Sequence, residues 1–291
     1  MPLVTSKEML EYARQAGFAV GAFNADNMEM VGAVVEAAQE ERAPVIVQIA
    51  PRTVVYAGLN TIAGLVQNAA AQVDVPVVLH LDHGDSYERN VQCLRAGFTS
   101  LMFDGCKLSY MENVVITSRI TDVAHIAGIP VEAELGQVLH AGASSDEVAA
   151  AVTDPDQALD FVQRTGCDTL AIAVGSIHGM LGREAELNVA RVRAIADKVG
   201  LPLVLHGASG ITDDSVQEAI KYGFCKINVA TYIKQGFVAQ LKATLEEKPD
   251  SVDLRVLLAP AREAAKERVR EKMRLLGASN RITSGGAYRS L

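Results

Sequence analysis

The chain contains no tryptophan and only 5% aromatic residues, and its four cysteines, Cys93, Cys106, Cys167 and Cys225, show no C-x-x-C spacing. The missing tryptophan decides nothing. The cysteine pattern reads plainly as reduced thiols in a cytoplasmic protein. No run of basic residues is present and the net charge is −8, which speaks against a nucleic-acid partner. No stretch approaches the ~18 uninterrupted apolar residues of a membrane span. The opening MPLVTSKEMLEYARQAG is an amphipathic helix pattern without the apolar core of a signal peptide. Internal repeats and inter-domain linkers are also missing.

What is present is a long alternation. Eight β-rich runs, at 19–24, 45–49, 77–81, 100–104, 131–134, 169–174, 203–206 and 226–229, are separated by amphipathic helical segments such as SYERNVQCLRAG. Strands alternating with helices read as parallel βαβ units, and eight of them predict a (β/α)8 TIM barrel. The competing doubly wound sheet usually shows a Gly-rich fingerprint after an early strand, and none occurs here. With 291 residues, 49% of them hydrophobic, one core suffices. The expectation is a single barrel domain over 1–282 and a disordered tail over 283–291. A longer insertion follows the fifth run, GQVLHAGASSDEVAAAVTDP, and reads as a loop over the site or as an ordinary surface loop.

Polar residues cluster at the C-terminal ends of the runs: Asn24, Gln48, Asp82, His83, Asp104, Glu132, Glu134, His178, His206 and Asn228. Barrel active sites are built at that face, and buried strand ends otherwise avoid polar groups. Three of the six histidines, His83, His178 and His206, end apolar runs directly before glycine. One such histidine is ordinarily a hydrogen-bonded packing residue. Three on different strands of one sheet point to a metal, with one or two positions left open for a substrate oxygen. Asp82 abuts His83 and is a candidate general acid/base; as a helix cap it is outdone by Asp85 and Ser86. The loop His206-Gly207-Ala208-Ser209-Gly210, with Asn228 to Thr231 after the next strand, occupies the place where barrels bind phosphate.

A metal, a carboxylate and a phosphate cradle together suggest carbon–carbon cleavage through an enediolate. The motifs L-H-L-D-H-G (79–84), V-E-A-E-L-G (131–136), G-x-x-H-G (175–179), L-H-G-A-S-G (205–210) and N-V-A-T (228–231) carry a resemblance to the class II, metal-dependent ketose-bisphosphate aldolases. A-F-N (22–24) and G-A-S-N-R-I (277–282) extend it over nearly the whole chain. The resemblance implies Zn2+ on His83, His178 and His206, with Glu134 behind it as an alternative ligand. It implies Asp82 as the group handling the C4 proton and Asn24 as a contact to the ketose. Gly179, Gly207, Ala208, Ser209, Asn228, Ala230 and Thr231 would hold the dihydroxyacetone phosphate half, with a monovalent cation (Na+ or K+) near Gly179 and Gly207. The enolising acid would lie in the loop after strand five, where Asp146 and Glu147 are the candidates. The resemblance also implies a homo-oligomer, a dimer or tetramer.

Some positions depart from the family. Arg183 stands where a lysine close behind H-G is frequent, Tyr232 stands where an acid is usual, and Arg52 follows strand two where relatives carry small polar residues. These changes put the aldehyde half in question. Ala230 in N-V-A-T favours tagatose 1,6-bisphosphate, with fructose 1,6-bisphosphate or a ketose phosphate with an acidic aldehyde half as alternatives. A Schiff-base aldolase would need a strand lysine, for which only Lys226 qualifies. A non-catalytic assembly subunit would predict a lost histidine.

Overall fold

The computed structural model describes residues 3–140, 151–178 and 186–289. Helix α1 (Ser6–Ala16) precedes β1 (Val20–Asn24), and α2 (Met28–Glu41) leads to β2 (Val45–Ile49). Two helices, α3 (Pro51–Ala57) and α4 (Leu59–Ala71), precede β3 (Val77–Leu81). There follow α5 (Tyr87–Arg95), β4 (Leu101–Phe103), α6 (Tyr110–Ile126), β5 (Val131–Leu135) and a short β6 (Leu139–His140). Then come α7 (Pro155–Thr165), β7 (Thr169–Ile172), a short β8 (Ile177–His178), α8 (Val189–Val199) and β9 (Leu203–Leu205). A 3-10 turn (Ala208–Gly210), α9 (Asp213–Ile220), β10 (Phe224–Val229), α10 (Thr231–Glu247) and α11 (Leu254–Leu275) complete the described chain.

Eight of these strands form one parallel sheet in the order β3-β2-β1-β10-β9-β7-β5-β4. Its two ends meet through a bridge between His80 and Ser100 and a bond from Leu81 N–H to Ser100 O (3.1 Å), which closes the barrel. The (β/α)8 expectation is met, and the reason is visible in composition. Each strand is buried on both faces, so it reads as a continuous apolar run rather than an alternation. β2, Val-Ile-Val-Gln-Ile, is buried throughout, as are β1 and β3. The helices bury one stripe each; α2 turns Met30, Val31, Val34 and Ala38 inward.

Two features differ from the sequence expectation. The tail does not end in disorder where it is described. Ile282 bridges antiparallel to Tyr288, Thr283 N–H donates to Ala287 O (2.8 Å), and the Tyr288 ring packs against Tyr12 at 4.6 Å. The Gly285-Gly286 turn returns the chain, and the aromatic contact holds it. The second feature is the β6–β8 ribbon, which sets His140 in register with His178. It was not foreseen because two-residue strands carry no periodicity. Much of the insertion after β5, including Asp146 and Glu147, lies outside the described residues. Its ends are tied: Thr153 Oγ1 donates to Leu135 O (2.5 Å) and accepts from Ala173 N–H (2.9 Å).

Candidate functional site

β3 ends at Leu81, and Asp82 N–H is held by Ile49 O of β2 (3.0 Å). His83 then adopts a left-handed conformation (φ 50°), uncommon for a residue with a β-carbon. This turn brings two sequence neighbours to one place, with Asp82 Oδ1 3.9 Å from His83 Nε2. Gly84 is required: a β-carbon there would lie 2.1 Å from the backbone oxygen of Met102. Ser86 caps α5 by accepting from Arg89 N–H (3.1 Å), which leaves Asp82 free for the site.

His206, fully buried at the end of β9, faces His83 across the barrel mouth. Its Nδ1 lies 3.0 Å from His83 Nε2. The other nitrogen of each ring meets a carboxylate: His83 Nδ1 is 2.7 Å from Asp104 Oδ2, and His206 Nε2 is 2.9 Å from Glu132 Oε1. Carboxylate behind histidine is the arrangement that orients a metal-binding imidazole and fixes its tautomer. Glu134 Oε2 is buried without a hydrogen-bond partner among the described residues, 3.8 Å from His83 Nδ1 and 3.7 Å from His206 Nδ1. Two nitrogens facing one another beside an orphaned buried carboxylate oxygen fit a divalent cation, and nitrogen ligands suit zinc.

Carboxylates surround these nitrogens, so the pocket favours positive charge, whether a proton or a cation. Burial alone would lower the His83 imidazole, but Asp82, Asp104 and Glu134 outweigh it and push it up to about 10. Burial, with help from Asp104, Glu132 and Asp82, lifts Glu134 to about 8 against the pull of His83. Asp82 is raised by burial but pulled below its ordinary range by His83, His206, Lys226 and the Asn24 hydrogen bond. Burial and Lys226 hold His80 well below its ordinary value, so it sits neutral beneath the site with Nδ1 2.8 Å from Ser100 Oγ.

Asn24, at the end of β1, donates to Asp82 Oδ2 (2.7 Å) and accepts from Gln48 Nε2 (3.1 Å). Asn228, at the end of β10, donates to Asp82 Oδ1 (3.3 Å). The sequence-predicted Asp82, His83, His206, Glu134, Asn24 and Asn228 therefore meet in one cluster. β8, which ends at His178, packs against the 208–210 turn that follows His206, and the same turn packs against β10. Gly207 (φ 70°) opens that turn, Ala208 is buried in it, and Ser209 is its middle residue. Ala230 caps α10 and Thr231 begins it, so both stand at the same mouth. Arg52 lies exposed in the first turn of α3, just beyond β2, without a hydrogen bond or ion pair among the described residues. Gly179 and Arg183 lie outside the described residues.

The sequence reading missed the supporting shell. Asp104 and Glu132 stood out only as polar strand ends, and pairing them with particular histidines needs register. A lone strand lysine reads as a candidate nucleophile, yet the Lys226 Nζ is 2.8 Å from Glu132 Oε2 in the barrel interior.

The comparisons with known proteins agree with this geometry. Residues 4–281 match the family model described as fructose-bisphosphate aldolase class-II. A fructose-bisphosphate aldolase of Staphylococcus epidermidis is 43% identical over 97% of this chain and 99% of that protein. A probable fructose-bisphosphate aldolase of Bacillus subtilis is 42% identical over 96% of this chain and 99% of its own. Among solved structures, the YdjI aldolase of Escherichia coli K12 superposes with a TM-score of 0.85 at 36% identity, covering 96% of this chain and 98% of that one. The chain therefore belongs to the class II fructose-bisphosphate aldolase family and is a carbon–carbon lyase of the aldolase type.

Proposed function

We propose that this aldolase is zinc-dependent and reversibly cleaves a ketose 1-phosphate or 1,6-bisphosphate to dihydroxyacetone phosphate and an aldehyde. The observation that carries the reading is the facing pair His83 Nε2 and His206 Nδ1, 3.0 Å apart, each ring backed by a carboxylate. With His178 they would hold the ion, and Glu134 would stand beside them as an alternative ligand. Bound zinc would supply Lewis-acid stabilisation of negative charge on oxygen. Asp82, fixed by Asn24 and Asn228, takes the proton of the C4 hydroxyl during cleavage and returns it during condensation. Asn24 also contacts the ketose. Gly179, Gly207, Ala208, Ser209, Asn228 and Thr231 cradle the phosphate of the dihydroxyacetone half, and carbonyls near Gly179 and Gly207 hold a monovalent cation. Asp146 or Glu147 serves the carbon end of the enediolate. Arg183 and Arg52 are the candidates for contacting the aldehyde half.

For the sugar itself two readings compete. The relatives bear fructose-bisphosphate names. Ala230, at the mouth, offers no hydrogen bond to read the C4 configuration, and an unpaired buried hydroxyl costs about 1–3 kcal/mol. We infer that the tagatose epimer is accepted at least as well as the fructose epimer. The test compares kcat/KM for the two bisphosphates in the wild type, Ala230→Asp and Arg52→Ala. A tenfold or greater wild-type preference for the fructose epimer, about 1.4 kcal/mol, sinks the tagatose reading and leaves the aldolase reading intact. Loss of activity with a chelator and its return with zinc tests the metal.

We also propose a homo-oligomer, dimer or tetramer, supported by the exposed Val238, Leu245, Leu254 and Val256 of the last two helices. A cytoplasmic location is supported by four free thiols.

A further inference from the structure

Lys226 belongs to a buried chain of charge that the cleavage chemistry does not use. It is 1% exposed within β10, and its Nζ approaches Glu132 Oε2 at 2.8 Å. The second oxygen of that carboxylate, Oε1, lies 2.9 Å from His206 Nε2. Asn228 Nδ2 lies 3.1 Å from the same ring nitrogen. These two neighbours make opposite demands. A carboxylate accepts, so it requires the hydrogen on Nε2. An amide nitrogen donates, so it requires a lone pair on Nε2 and sends the hydrogen to Nδ1. The outcome decides what His206 Nδ1 presents to His83 Nε2, 3.0 Å away, and to Glu134 Oε2, 3.7 Å away. A charge-assisted bond is about twice as strong as a neutral one, and the ammonium offsets the negative charge that the buried carboxylate needs for that role.

We propose that Lys226 is a positioning residue: through Glu132 it fixes the hydrogen of His206 on Nε2 and leaves the Nδ1 lone pair facing the site. The proposal rests on the reading of His206 as a metal ligand. It gives the strand lysine a role that is not nucleophilic, since an ammonium ion-paired in the barrel interior is not the free amine that a Schiff base needs.

The test measures zinc affinity by competition with a chromophoric chelator, alongside melting temperature, in the full-length protein. The set is wild type, Lys226→Met, Lys226→Arg, Glu132→Gln and the Lys226→Met/Glu132→Gln double variant. Lys226→Met and Glu132→Gln each weaken zinc binding by about 10–100-fold, the usual effect of losing an outer partner. The double variant is no weaker than the worse single by more than about threefold, because both act on one bond. Lys226→Arg, which keeps the charge, stays within about threefold of wild type. If Lys226→Met only lowers the melting temperature while its zinc affinity holds, the lysine merely neutralises a buried acid and the proposal is overturned. Additive losses in the double variant, or a borohydride-trapped substrate adduct on Lys226, overturn it too. Should Lys226→Met fail to fold, unchanged zinc affinity in Glu132→Gln has the same force. Wild-type protein that binds no zinc refutes the metal reading itself, which separates the two failures.

Discussion

Asp82→Asn isolates proton transfer from metal binding. Asp82 accepts from Asn24 at 2.7 Å and from Asn228 at 3.3 Å. In the variant one oxygen still accepts from Asn24, while the new amide nitrogen confronts the Asn228 amide. Asn228 Oδ1 is buried without a hydrogen-bond partner among the described residues, so a turn of that amide presents an acceptor instead. The net stability change is therefore small, about 1 kcal/mol, or ~2–4 °C in melting temperature. The His83–Asp104 and His206–Glu132 pairs are untouched, and the metal should remain. A positioned acid/base contributes about 10²–10⁴ in rate, or roughly 3–5 kcal/mol at ~1.36 kcal/mol per decade. The assay follows dihydroxyacetone phosphate release under steady state, with metal content by elemental analysis and melting by calorimetry. The expected result is near-wild-type zinc and stability with at least a hundredfold loss of kcat/KM. Zinc-loaded variant within about threefold of wild type would refute the role.

Two further outcomes follow from the packing. Gly84→Ala sets a β-carbon 2.1 Å from Met102 O and 2.7 Å from Asn90 Nδ2. The backbone has to yield, and because Asp104 N–H donates to Gly84 O (3.0 Å) the shift moves Asp104 off His83. We expect ~1–3 kcal/mol of lost stability and about tenfold weaker zinc binding; unchanged chelator competition would contradict this. Glu41, 8% exposed, is raised by burial but held below its ordinary 4.5 by Arg274, Ser279 and Arg270. A carboxylate lowered on folding stabilises above its unfolded value and stops doing so as pH falls through the folded one. Glu41→Gln should thus cost ~1–2 kcal/mol at pH 7, discounted for its half-exposed arginine partners, and the gap to wild type should close below about pH 4.5. A gap that stays constant down to pH 3 in denaturant titrations would exclude the linkage.

The barrel was legible because burial on both faces writes each strand as an apolar run, and because Asp82, His83, His206 and Asn228 break those runs at one end. Histidine before glycine marked the reactive end without any knowledge of pairing. The supporting groups were not legible in the same way. Which carboxylate stands behind which imidazole depends on β3 lying beside β4, and on β5 reaching across to β9. Sequence separation gives no hint of either. Lys226 looked like a nucleophile because a lone strand lysine has no visible partner until Glu132 is brought to it. The tail escaped notice because its order comes from one tyrosine meeting Tyr12, a contact spanning nearly the whole chain.

The pairing of β1 with β10, which sets Val20 beside Lys226, also has a consequence for synthesis. One edge of the first strand waits for a partner that emerges about two hundred residues later. At ribosomal speeds of ~5–20 residues per second, that edge stands open for roughly 10–40 s. Asp82, His83, Asp104, Glu134 and His206 are all made before β10 appears, but Lys226, which lies within β10, is not. The nascent protein thus carries all of its proposed ion-binding groups before it can close the barrel around them, because β10 lies in the final quarter of the chain. A message truncated before β10 would leave an open apolar sheet edge for the cell's chaperones and proteases to deal with.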